Sequence, residues 1–340
     1  MGPFAAAIDV TRRCNLTCFG CPSHAPGSGW RAHASDDDLP WDDFQRACSQ
    51  LRQMGTRKLI LIGEGEPLLH PRILDVIAEA KQNGFFVILL TNGTLLDGEL
   101  APAIAASGLD ELRISLWAAD EREYESNYGG CSPRLFQRVL DGARAVSRAR
   151  PAGGASPPNI VLHRPIDRAY FRGLERMVGL ARESGCDAVS FSPLKPTNAA
   201  AVDRALTTDE VTELRPILRR TGRLARDAGL ACNDAATLER YRIGEAVWKH
   251  VPCYLGWLDV RIRSNGDVQA CATCSQPMGN IRREGLAEIW NGDAFREFRR
   301  KGRTRAGLAG LSQVCNCGYC CHVLTNARVH RVLRWVPPLR

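Results

Sequence analysis

Residues 4–21 read FAAAIDVTRRCNLTCFGC. The apolar run at 4–10 has the length of a buried strand. Cys14, Cys18 and Cys21 follow directly, with three residues between the first pair and two between the second. Thiolates so close can hold three corners of a cubic iron–sulfur cluster. No fourth cysteine lies nearby, so one iron is left open for a small ligand. An open corner marks a cluster that does chemistry and does not only carry electrons. Two plainer readings compete: a structural zinc with His24 as fourth ligand, and a disulfide framework, which needs an oxidising compartment.

Outward from this run, apolar segments alternate with helical patterns. The candidate strands are 4–10, 58–62, 85–91, 111–116, 159–162 and 188–192. The candidate helices between them include 41–54, 71–83, 135–148 and 170–184. This order predicts an α/β fold with a parallel sheet and crossover helices. Six units make a partial (β/α)6, TIM-like barrel; eight would need more chain before the pattern changes. Leu39-Pro40 opens the first helix and Met54-Gly55 ends it, while Asn83-Gly84 closes the second. A helix over 208–228 is expected to lead away from the barrel. From Cys253 the character changes. The segment 259–270, DVRIRSNGDVQA, alternates around Asn265-Gly266, a hairpin signal, and a short helix is expected at 286–300. The predicted domains are the barrel at 1–207, linker helices at 208–252, a small hairpin-plus-helix domain at 253–322, and a tail at 323–340.

The run CNLTCFGC resembles the C-x3-C-x2-C motif of the radical S-adenosylmethionine (SAM) superfamily, and it lies, as in that family, just after the first strand. The resemblance implies that the open iron binds the amine and carboxylate of SAM. Reduction then cleaves SAM to methionine and a 5′-deoxyadenosyl radical. One position departs from the pattern: the family's aromatic residue before the last cysteine is here Gly20, and the aromatic is Phe19. Residues 63–67, GEGEP, end the second strand and resemble the family's GGEP, with Glu64 in place of the first glycine. Glycine permits close approach of backbone to ligand, and a carboxylate can accept from an ammonium. The expected SAM contacts are Gly65, Glu66 and Pro67, with Asn92 and Ser115 at the ends of the third and fourth strands. An ordinary turn and an ordinary strand serine are the competing readings.

The chain has 14 cysteines, seven of them between Cys253 and Cys321. In a reducing compartment that density points to metal or redox chemistry. The C-x12-G-x4-C spacing from Cys253 through Gly266 to Cys271, followed by the CxxC pair Cys317 and Cys320, resembles the SPASM/twitch extension of radical SAM enzymes. It implies a second 4Fe–4S cluster on those four cysteines, with structural zinc as the alternative. Cys321 is the last cysteine, so the shorter twitch form is expected. Cys274, Cys315 and Cys321 are left as spare thiols or hydrogen donors. Cys48, Cys131, Cys186 and Cys232 read as ordinary.

With 44% hydrophobic residues a substantial core can form. No run of eighteen apolar residues, signal peptide or myristoylation site is present, so a cytoplasmic protein without a membrane partner is expected. The formal charge of +8 suits an anionic substrate or simply a solvated arginine-rich face. No basic–aromatic nucleic-acid motif occurs. Because the chain starts a few residues before the first strand, the expected substrate is a small carbohydrate-like molecule: a sugar, aminocyclitol or nucleoside. The reaction expected is carbinol oxidation in natural-product (antibiotic) biosynthesis, by an oxidoreductase whose auxiliary cluster takes the electron. An external one-electron reductant such as flavodoxin or ferredoxin is the implied partner. Peptide maturation and redox-neutral sugar epimerisation, dehydration or decarboxylation are the alternatives.

Overall fold

A computed structural model describes residues 2–26, 38–129, 131–151, 156–312, 314–315 and 320–333. Six strands follow the predicted order: β1 (Ala5–Asp9), β2 (Lys58–Ile62), β3 (Phe86–Thr91), β4 (Glu111–Ser115), β5 (Asn159–Ile166) and β6 (Ala188–Pro193). Each pairs in parallel with the next. Parallel neighbours need crossovers, and helices such as Trp41–Gln53, Ile73–Gln82 and Arg134–Ala149 supply them.

The first of these helices shows why the sequence folds this way. Pro40 presets its entry, and Asp42 and Asp43 lie in the first turn, where the helix dipole favours them. Phe44, Ala47, Cys48 and Leu51 form one stripe buried against the sheet. Gly55, at φ +86°, lets the chain reverse into β2. Along β2, Leu59 and Leu61 turn to this helical layer and are fully buried. Lys58, Ile60 and Ile62 turn the other way, into the barrel lumen.

The structure corrects three expectations and adds a helix in the tail. The helix expected at 170–184 is a short turn, Phe171–Gly173, and then Arg176–Glu183. The helix expected at 286–300 is two, Leu286–Asn291 and Asp293–Gly302, broken at the extended Gly292. The tail contains a helix, Val323–Leu333. The helix Thr208–Asp227 does not lead away. Its capping box joins Thr207 to Glu210, and its buried face of Leu214, Leu218, Thr221 and Ala225 holds it on the barrel. Strand β7 (Ala231–Cys232) then pairs with β6.

The hairpin forms where Asn265-Gly266 places it, between β8 (Asp259–Ile262) and β9 (Asp267–Gln269), with Gly266 at φ +87°. It does not stand apart. β8 pairs in parallel with β1, and β10 (Gly279–Asn280) adds to β9. One ten-stranded sheet results, ordered β10-β9-β8-β1-β2-β3-β4-β5-β6-β7.

Candidate functional site

The loop after β1 carries the three cysteines and is held from several sides. Thr11 carbonyl accepts from Gly65 N–H at 3.2 Å, and Arg13 carbonyl from Glu66 N–H at 2.7 Å. The Arg13 guanidinium grips Asp38 (2.7 and 3.1 Å) and donates to the Leu69 carbonyl (2.7 Å). Gly65 is required here, because a Cβ would lie 2.0 Å from the Arg13 oxygen. The far end of the loop is tied by Asn198 to Phe19 carbonyl (2.9 Å) and by Thr197 to Gly20 carbonyl (3.0 Å).

One cavity of about 220 Å³ sits above the strand ends. Cys14, Cys18 and Cys21 line it, and so do all five expected SAM contacts, Gly65, Glu66, Pro67, Asn92 and Ser115. Burial, Glu66 and Cys21 together push the Cys14 thiol up to about 11. Burial, Cys21 and Cys14 likewise raise Cys18. A metal or cluster bound there would displace these protons. Among the described residues no three Cys, His, Asp or Glu side chains close around a single-ion position. A cubane spreads its thiolates over separate irons, so the trio fits a cluster better than zinc. His24 turns its ring to the Arg12 carbonyl (3.0 Å).

Glu66 is buried, and its oxygens accept from Leu68 N–H (3.0 Å), Thr91 hydroxyl (2.6 Å) and Asn92 N–H (2.6 Å). It thereby fastens β2's end to β3's and orients Asn92, whose Nδ2 donates to Asn15 at 2.9 Å. Among the lining residues that the sequence reading did not place at the site are the aromatics Trp117 and Tyr128. Tyr128 hydroxyl donates to Ser115 carbonyl (2.9 Å) and accepts from Trp117 N–H (2.8 Å). Trp117 meets Phe19 edge-on at 5.8 Å and packs over Gly20, where a Cβ would be 3.2 Å from its ring. The departure at Gly20 thus makes room for an aromatic two residues past β4, and the SLW triplet was its sequence signal. β5 runs past the expected 159–162 to Ile166, so His163 and Arg164 are strand neighbours that point to opposite faces. His163 faces the lumen between Ser190 (3.2 Å) and Ser192 (3.3 Å), whereas Arg164 is buried on the opposite side against Glu123 (2.8 Å).

In the C-terminal region Cys253, Cys271 and Cys320 converge. Burial pushes Cys271 up to about 12, with Cys253 and Cys274 adding to the rise, and Cys320 is raised by burial and by Cys321, Cys271 and Cys253. Cys317 lies outside the described residues. Cys274 and Cys315 face one another across an isolated antiparallel β-bridge as free thiols, and a hydrogen bond from the Cys315 side chain lowers the Cys274 pKa. Cys321 is exposed and does not pair with either. Cys48 and Cys186 are core residues, but Cys131 stands close enough to Cys18 to raise it. Among the described residues no helix is long and apolar enough to cross a membrane.

Residues 8–178 match the sequence model of the radical SAM superfamily, and residues 253–321 match that of the SPASM iron–sulfur cluster-binding domain. A PqqA peptide cyclase of Streptomyces rochei is 30% identical, over 89% of this chain and 80% of its own. The tungsten-containing aldehyde ferredoxin oxidoreductase cofactor-modifying protein of Pyrococcus furiosus is 25% identical, over 86% and 82%. In fold, the chain is similar to Streptococcus suis SuiB bound to S-adenosylmethionine, with a TM-score of 0.68 at 16% identity, covering 95% of this chain and 74% of that one. With its three-thiol loop beside a cavity at the strand ends and both family matches in agreement, this chain belongs to the radical SAM superfamily, carries a C-terminal SPASM domain, and so uses SAM, a 4Fe–4S cluster and further iron–sulfur.

Proposed function

We propose that this enzyme modifies a peptide. The observation that carries the reading is the 30% identity to a PqqA peptide cyclase, sustained over 89% of the chain and across both domains. This replaces the expected sugar-like substrate and the antibiotic oxidoreductase. That expectation leaned on where the first strand falls in the chain, which does not discriminate between substrates.

In this reading Cys14, Cys18 and Cys21 hold the SAM cluster. Gly65, Glu66, Pro67, Asn92 and Ser115 seat SAM, with Trp117 against its adenine. Cys253, Cys271, Cys317 and Cys320 hold auxiliary iron–sulfur. Bound SAM and its cluster supply hydrogen abstraction driven by one electron from an external reductant such as flavodoxin or ferredoxin. The chain's own residues set the geometry: Glu66 fixes the pocket floor, Tyr128 holds the β4 end, and the lumen below receives the substrate.

Anaerobic incubation of the reconstituted enzyme with SAM, dithionite and synthetic peptides encoded by short reading frames flanking its gene tests the reading. The expected result is stimulated 5′-deoxyadenosine release together with a mass change in one peptide. Stimulation by an aminocyclitol or nucleotide sugar, and by no peptide, would overturn it.

A further inference from the structure

Cys274 and Cys315 stand 41 positions apart in sequence and directly opposite one another in the structure. They form an isolated antiparallel bridge between the segment that leaves β9 and the segment that runs into the CxxC pair. Antiparallel partners alternate between hydrogen-bonded and non-hydrogen-bonded positions. In the second kind the Cα atoms come to about 4.5 Å and the side chains are closest. The backbone shows which kind this is. Ser275 N–H donates to the Val314 carbonyl at 2.8 Å, one residue outside the pair. Cys274 N–H goes instead to the Cys271 carbonyl (3.2 Å), and Cys315 N–H to the Leu311 carbonyl (2.7 Å). Neither amide crosses to its partner, so the two cysteines occupy the close position. A disulfide needs Cα atoms about 4.4–6.8 Å apart, and this position supplies that separation.

The bridge is held firmly. Ser275 hydroxyl also donates to the Val314 carbonyl, at 2.9 Å. The helix Arg305–Leu311 leads straight into Cys315 through that residue's bond to Leu311. Both thiols are free, and they are only 2% and 3% exposed. Burial is shallow, however: Ala272, Ser275 and Gln276 around Cys274 are all exposed. A small reagent therefore has one layer to cross. Neither cysteine belongs to the four that the C-x12-G-x4-C and CxxC spacings set aside for auxiliary iron–sulfur.

We propose that Cys274 and Cys315 are a redox modification site, a dithiol that closes to a cross-strand disulfide and staples the hairpin to the CxxC segment. The oxidant is a low-molecular-weight disulfide such as glutathione disulfide. One thiolate attacks a sulfur of the oxidant and releases one glutathione. The second thiolate attacks the resulting mixed disulfide and releases the other. Two protons leave the protein thiols and are taken up by the two glutathione thiolates. One S–S bond forms on the protein, one breaks in the oxidant, and two electrons pass to glutathione. Closing the loop between the two cysteines restricts the unfolded chain, so the staple keeps the two halves of the C-terminal domain together when iron–sulfur is lost. The pair acts in the same way whatever the substrate.

Equilibration of the anaerobically reconstituted full chain in glutathione buffers, from reducing to oxidising, tests this. Samples are quenched with N-ethylmaleimide, mapped by mass spectrometry and counted for iron. The expected result is a peptide crosslinked through Cys274 and Cys315, whose fraction rises with the share of glutathione disulfide while both residues lose maleimide together. In Cys274→Ser, Cys315 should gain no crosslink to any other cysteine. Cys274→Ser/Cys315→Ser should keep the iron of the parent. After chelation of iron, the oxidised parent should melt above its reduced form, and the double variant should show no such difference. Cys274→Ala/Cys315→Ala repeats the iron count and the melting comparison with side chains that a buried bridge accepts. Full alkylation of both thiols in the most oxidising buffer would overturn the proposal, as would pairing of either with a different cysteine in the parent. Loss of about four irons from both double variants would make the pair cluster ligands and would overturn it too.

Discussion

Arg261 grips Asp9 through two bonds, Nε to Oδ2 at 2.8 Å and Nη2 to Oδ1 at 2.9 Å, across 252 residues of chain. Asp9 is fully buried at the end of β1, five residues before Cys14. The pair therefore welds the C-terminal hairpin to the strand that launches the three-cysteine loop. Arg261→Ala would leave a buried carboxylate alone, and breaking such a pair costs about 3–5 kcal/mol. Thermal unfolding should show a large drop in Tm, with Asp9→Asn/Arg261→Gln recovering part of it; an unchanged Tm for Arg261→Ala would refute the weld.

Gly65→Ala should abolish SAM binding, because its Cβ would fall 2.0 Å from the Arg13 oxygen in the cavity wall. Gly98→Ala, with nothing within 4 Å, should behave as the parent. Equilibrium binding of SAM to the two variants separates a local steric effect from general damage.

Trp117→Ala should raise the Kd for SAM by about tenfold, the scale of one lost aromatic contact with its burial. Trp117→Phe should retain most of the affinity. A Trp117→Ala enzyme with unchanged Kd would remove Trp117 from the adenine position.

His163 is held neutral by burial first, then by Arg113 and Arg240, which bring its pKa down to about 3. An ordinary histidine binds its proton near 6.5. Between those values the unfolded chain holds a proton that the folded chain lacks. Stability present above pH 6.5 is therefore lost as pH falls towards 3, by about 1.4 kcal/mol per pH unit at most. Urea unfolding of parent and His163→Gln should show the parent losing ground to the variant from pH 6.5 to 5 and a constant difference above pH 7. Parallel curves over the whole range would mean His163 titrates normally.

The triple variant Cys14→Ala/Cys18→Ala/Cys21→Ala should hold about four fewer irons per chain than the parent and keep its C-terminal iron. Iron analysis with Mössbauer spectroscopy checks this. Loss of all iron would mean that the two regions do not load independently.

The strands of the barrel and the three-thiol loop were legible because they rest on local signals: apolar runs between turns, and cysteines two or three residues apart. β2 falls at 58–62 as read, since Leu59 and Leu61 alternate with lumen residues in one short run. Trp117 was not legible, since its value comes from the space left at Gly20, 97 positions away in sequence. Nor was the split between His163 and Arg164, because neighbours on a strand point to opposite faces and only the register shows which face is the lumen.

The sequence by itself determined the α/β class, the three-thiol loop after the first strand and the glycines at the strand ends, because each depends on residues close together in the chain. Tertiary structure alone decided that the hairpin extends the barrel sheet through β8 and β1, that Asp9 finds Arg261, and that His163 sits between Ser190 and Ser192. Those pairings join segments far apart in sequence, and charge and hydrogen-bond partners at that range are set by how the strands close, not by any local pattern.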